Sequence, residues 1–123
     1  MPKCTRTLLA AVAVAATLAF GSAHGALRAV EQAYELALAD LTLPGNDSGY
    51  LMVRLCPRCR PEVLRVNTET RYLVRPSTAP VPLATMREQA RNAAGRGADR
   101  AFCYVYYDPK TRYVRRVVLD AAR

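Results

Sequence analysis

The chain has 123 residues, 51% of them hydrophobic, with 18 basic against 10 acidic residues and a net charge of +8. That length supports one small domain and excludes a multidomain enzyme. Its one histidine is His24, beside four cysteines and no tryptophan.

Lys3 and Arg6 charge the first residues, Leu8 to Phe20 is apolar apart from Thr17, and small residues follow from Gly21 to Ala26. A charged start, a short apolar core and a small-residue end predict a secretory signal peptide over 1–25, cut after Gly25, or after Ala23 in the alternative. The competing reading is a membrane anchor, but the run falls short of the roughly 20 residues that span a bilayer. The expected mature chain, 26–123, is one small α+β domain with no transmembrane span, located in the periplasm or secreted. Removing Lys3 and Arg6 lowers its charge from +8 to +6, and Lys110 becomes its one lysine among arginines. Arginine suits carboxylate and phosphate recognition, although the charges are spread along the chain as on a solvated surface.

Ala26 to Leu41 is read as a helix, because Leu27, Val30, Tyr34, Leu38 and Leu41 recur at spacings of three and four. Pro44 to Gly49 concentrates turn formers. Tyr50 to Cys56 alternates like a strand, Val63 to Val66 resumes after Pro57 and Pro61, and Arg71 to Arg75 follows a turn at Asn67 to Thr70, so a three-stranded meander is expected. Pro82 opens a helix from Leu83 to Ala94, with Leu83, Met86, Ala90 and Ala93 on one face and Gly95 or Gly97 at its end. Ala101 to Tyr107 and Arg112 to Leu119 form a hairpin across the Asp108-Pro109-Lys110-Thr111 turn. The Arg115-Arg116 pair interrupts alternation and marks a bulge.

The expected fold is therefore a small five-stranded antiparallel sheet or an OB-like barrel, with one helix between strands 3 and 4 and a further helix at the N-terminus. The stretch from Gly49 to Leu119 also resembles small secreted proteobacterial proteins that lack an assigned activity. The resemblance rests on Cys56 and Cys59, on Thr70-Arg71-Tyr72, on Val81-Pro82-Leu83 and on the closing tyrosine- and valine-rich hairpin. It implies an exported compartment and a small β-rich fold, and brings no catalytic residues.

Loss of His24 with the signal peptide removes the commonest general base and metal ligand. Ser48 and Ser77 then have no triad partner, and no phosphate-binding glycine loop is present. Glu31 with Glu35, and Glu62 with Glu69, read as solvated carboxylates rather than a glycosidase pair. Cys56-Pro57-Arg58-Cys59 has three readings. A structural disulfide suits an oxidising compartment. A redox pair would use Cys56 as nucleophile and Cys59 as resolving thiol, but would want a helix after it. A zinc site would have at most three thiolates, counting Cys103. The disulfide is expected, with Cys103 a buried thiol, and no metal or cofactor.

Tyr104, Tyr106 and Tyr113 lie near Arg112, Arg115 and Arg116. Such a set can stack on sugars or hold anions, whereas tyrosine is also an ordinary strand residue. The expected function is an exported non-enzymatic domain that binds an envelope protein or an anionic polysaccharide through this hairpin, without nucleic acid. The alternatives are a periplasmic thiol–disulfide oxidoreductase and an accessory protein with no ligand.

Overall fold

The computed structural model describes residues 31–97 and 101–121. The expected signal peptide and residues 26–30 of the expected first helix lie outside the described residues. In chain order the elements are β1 (Gln32–Ala37), a 3₁₀ turn (Leu38–Asp40), β2 (Leu41–Thr42), β3 (Tyr50–Val53), β4 (Glu62–Arg65), β5 (Arg71–Val74), α1 (Leu83–Gly95), β6 (Phe102–Tyr107) and β7 (Val114–Asp120). They form a four-stranded sheet in the order β1-β6-β7-β5 and a three-stranded sheet in the order β2-β3-β4.

The expected helix from Ala26 to Leu41 is corrected over its described part, which is strand, 3₁₀ turn and strand. Gln32–Ala37 contains good helix formers, but β1 pairs antiparallel with β6 from Gln32 opposite Tyr107 to Ala37 opposite Phe102. That pairing turns Tyr34 and Leu36 onto the core, and distant β-pairing overrides local propensity.

The five-stranded antiparallel sheet and the OB-like barrel are corrected too. Among the described residues there are seven strands in two sheets, and no closed barrel. The expected meander splits after its second strand. β3 and β4 pair antiparallel, with Leu51 opposite Leu64. β5 leaves that sheet and runs parallel to β7, with Tyr72 opposite Val117. The turn at Asn67 to Thr70 forms as expected, its Thr70 N–H donating to the Asn67 carbonyl at 3.0 Å. The Thr70 hydroxyl then donates to the Val114 carbonyl at 2.8 Å and ties the start of β5 to the other sheet. A parallel pair needs a long crossover, and α1 lies within it.

The second helix and the closing hairpin stand as expected. Pro82 is the N-cap of α1, and Leu83, Met86 and Ala93 are its buried residues. Gly97, at φ 110°, takes the left-handed conformation just past its end. The register of β6 and β7 shifts between Tyr106 and Tyr107, which face Arg116 and Val114. Arg115 is therefore the extra residue of a bulge.

Leu51, Val53, Leu64, Val105 and Val117 are fully enclosed in one core that both sheets and α1 share. Each such side chain contributes about 1.5–3 kcal/mol over its exposed state. No described helix is long and apolar enough to cross a membrane.

Candidate functional site

Strand alternation divides β6 between two environments. Cys103, Val105 and Tyr107 face the core, and Phe102, Tyr104 and Tyr106 are half-buried on the outer face of the four-stranded sheet. Cross-strand register brings Glu35 of β1 opposite Tyr104. From β7, Val118 stands opposite Tyr104 and Arg116 opposite Tyr106. β5 extends the face with Arg71 beside Arg116 and Leu73 beside Val118.

On this face two guanidinium groups lie over two tyrosine rings. Arg116 is 3.9 Å from the centroid of Tyr106, and Arg75 is 5.3 Å from that of Tyr104. Both are also ion-paired, Arg116 to Glu31 at 2.9 Å and Arg75 to Asp120 at 3.4 Å. The Tyr104 hydroxyl donates to Glu35 at 3.4 Å. Cation–π and ionic contacts together hold these arginines over the aromatic surface.

The six residues expected to form one patch do not all meet. Tyr104, Tyr106 and Arg116 share the outer face. Arg115 turns to Asp108 at 3.3 Å in the hairpin loop. The Asp108 carboxyl lies below its ordinary range because the Lys110 and Thr111 N–H groups donate to it, with Arg115 adding to the effect. Arg112 sits where the two sheets adjoin, ion-paired to Glu62 at 2.7 Å and 5.7 Å from the centroid of Tyr107. Tyr113, 37% exposed, follows it and bridges to Arg65 of β4. Bulge and turn explain the dispersal, because each re-aims the side chains next to it.

Tyr107 belongs to the core. It stacks on Tyr34 with ring centroids 4.8 Å apart, and its hydroxyl donates to Gln32 at 2.9 Å. Burial first, and the Tyr34 contact second, push it up to about 12. Arg75 is not among the residues expected from the sequence. Its signal is period-two alternation, since Arg71, Leu73 and Arg75 fall on one face of β5 and its continuation.

A second exposed apolar group lies on the outer face of the three-stranded sheet. Tyr50, Met52 and Val63 are 63%, 39% and 48% exposed, and Met52 stands directly opposite Val63.

Cys56 and Cys59 form a disulfide with Cα atoms 5.0 Å apart. The Cys59 N–H donates to the Cys56 carbonyl at 3.1 Å, as in a β-turn. The chain then enters β4 rather than a helix. Cys103 is a free, buried thiol, and burial pushes it up to about 12. Among the described residues no group of His, Cys, Asp and Glu could hold a metal. Comparison with protein-family models, with curated proteins and with solved structures finds no match to this chain.

Proposed function

We propose that the chain is an exported, non-enzymatic binding domain whose outer sheet face takes a protein partner in the cell envelope. The observation that carries this reading is the seating of Arg75 and Arg116 on the rings of Tyr104 and Tyr106. Side chains held by both a ring and a carboxylate have little freedom left to lose on binding, and such preorganisation strengthens an interface. Tyrosine and arginine are the residue types that concentrate binding energy at protein interfaces. The half-buried Leu73 and the exposed Ala33 add apolar area beside them.

The ion pairs favour a protein over an anionic polysaccharide. A polyanion would compete with Asp120 and Glu31 for the same guanidinium groups. A protein surface can instead cover the apolar area and meet charges of both signs. Export is supported by the charged start and apolar run of the first 25 residues. The disulfide agrees with it, since such bonds persist in oxidising compartments. Redox catalysis has less support, because the turn at Cys59 runs into a strand and offers no helix N-terminus to lower a thiol pKa.

Affinity capture from an envelope extract tests the reading with three baits: the parent protein, Tyr104→Ala/Tyr106→Ala, and Tyr50→Ala on the other sheet. A partner retained by the parent and by Tyr50→Ala, and lost by the double variant, is the expected result. Equal capture by all three baits would overturn it. Salt-reversible retention on an anionic polysaccharide, abolished by Arg75→Gln/Arg116→Gln, would transfer the face to a glycan.

A further inference from the structure

A cleft of about 510 Å³ opens at the N-terminal end of α1, with no residue in common with the Tyr104–Tyr106 face. The Gly45–Asp47 loop forms one wall, Thr68 and Thr70 form another, and the first turns of α1 with Tyr72 complete it. Tyr72 is 4% exposed, and its hydroxyl is shielded from water without a hydrogen-bond partner among the described residues. Buried hydroxyls almost always have a partner, so an orphan one calls for an explanation. Burial first, and the nearby Asp47 carboxylate second, push this phenol up to about 12, which keeps it a proton donor.

Two further donors converge on the same space. Proline at the N-cap supplies no side-chain acceptor, and no acidic residue occupies the first turn. The N–H groups at Leu83 and Ala84 therefore have neither an intrahelical partner nor a side-chain cap, and the helix end is positive. Arg87, one turn on, lines the cleft and donates to the Gly45 carbonyl at 3.3 Å, which holds its guanidinium across the opening. A neutral donor, a helix N-terminus and a guanidinium together form a seat for a carboxylate. Asp47 on the rim is the one acid lining the cleft among the described residues. It repels a simple anion but accepts a hydrogen bond from a ligand that also carries a donor.

We propose that this cleft binds a small carboxylate bearing a hydroxyl or ammonium group, its carboxylate on the α1 N-terminus, Tyr72 and Arg87, and its donor group on Asp47.

Amide-detected NMR titration of the protein with lactate, L-serine, acetate and inorganic phosphate provides the test. Lactate or L-serine is expected to shift the Leu83, Ala84 and Thr85 amides saturably, with acetate and phosphate weaker. Tyr72→Phe should weaken that binding by about tenfold, the equivalent of one hydrogen bond lost to a charged group. The exposed Arg87→Gln should weaken it comparably and guards against a folding defect at position 72. Affinities unchanged in both variants would overturn the proposal. So would acetate or phosphate binding as well as lactate and L-serine, because Asp47 would then have no role. Failure of lactate and L-serine to saturate would overturn it too.

Discussion

The Arg112 guanidinium donates to Glu62 at 2.7 Å while its backbone carbonyl accepts from the Arg65 N–H at 3.0 Å, so one residue of the hairpin loop links the larger sheet to β4. Its N–H donates to Asp108 at 2.8 Å, which closes the loop with φ at 65°. That left-handed conformation is costly for any residue with a Cβ. The chain accepts the strain because three contacts fix the residue in place. The ion pair itself is half-exposed and contributes only about 0.2–1 kcal/mol.

Comparing Arg112→Gly with Arg112→Ala isolates the backbone contribution, since both variants lose the guanidinium. The glycine variant is expected to be more stable by about 1 kcal/mol, because it removes the left-handed penalty. Urea unfolding of the two proteins measures the difference. Equal midpoints would show that position 112 is unstrained.

Tyr72→Phe is expected to raise the stability of the unliganded protein by about 1 kcal/mol, because it deletes a buried hydroxyl that has no partner. The ring and its packing remain. Few substitutions at a fully buried position stabilise, so the sign is informative. A lower unfolding midpoint in the phenylalanine variant would mean that the hydroxyl is hydrogen-bonded in solution.

Stability should fall on the alkaline side. Tyr72 and Tyr107 are pushed from 10.0 up to about 12, and Cys103 from 9.0 up to about 12, in each case chiefly by burial. The folded chain keeps these protons at pH values where the unfolded chain has released them. Their contribution is thus complete below the unfolded values and is lost as pH rises through the folded ones. Urea midpoints measured against pH should be level up to about 9 and then decline steadily to about 12. Cys103→Ala, although less stable throughout, should start its decline nearer the tyrosine value of 10.0. A flat profile to the end of that range would contradict the burial of all three groups.

The parts of the fold legible in the sequence are those stabilised by near neighbours. Pro82, the three-to-four spacing from Leu83 to Ala93, and Gly97 specify α1 locally. The Asp108 turn specifies the β6–β7 hairpin, and the paired arginines announced the bulge at Arg115. Gln32–Ala37 has a helical local pattern, and its strand character comes from β6, about seventy residues away. No local pattern carries that pairing. The sheet that β5 joins is hidden for a similar reason, since the Thr70 bond to Val114 links distant positions. The candidate site was legible by half. Strand alternation puts Tyr104 and Tyr106 together, but Arg75 reaches Tyr104 from just past the end of β5, and only the tertiary fold unites them. The orphan hydroxyl of Tyr72 left no trace in the sequence, because an absent partner is visible only when every neighbour is placed.

The Cys56–Cys59 bridge is expected to act as a small staple and to lack catalytic turnover. Its Cα separation of 5.0 Å lies within the ordinary range for disulfides, and a hydrogen-bonded turn spans it. Cross-linking so short a loop restricts the unfolded chain little, so the double substitution Cys56→Ser/Cys59→Ser should cost about 2 kcal/mol. That loss is smaller than the effect expected for a bridge closing a long loop. Thiol reactivity gives an independent reading. In protein processed after Gly25, the folded state should resist alkylation, because Cys103 is fully buried and its thiol is pushed up to about 12. Unfolding without reductant should release one reactive thiol, and peptide mapping should place it at Cys103. Catalysis separates the remaining possibility. Arg54, Arg58 and Arg60 are all exposed near the bridge and would favour a thiolate, but Cys59 leads into β4, so no helix end stabilises the Cys56 thiolate. Insulin reduction and oxidative refolding of a model substrate should therefore show no turnover. Turnover that Cys56→Ser abolishes would replace the staple with a thiol–disulfide enzyme.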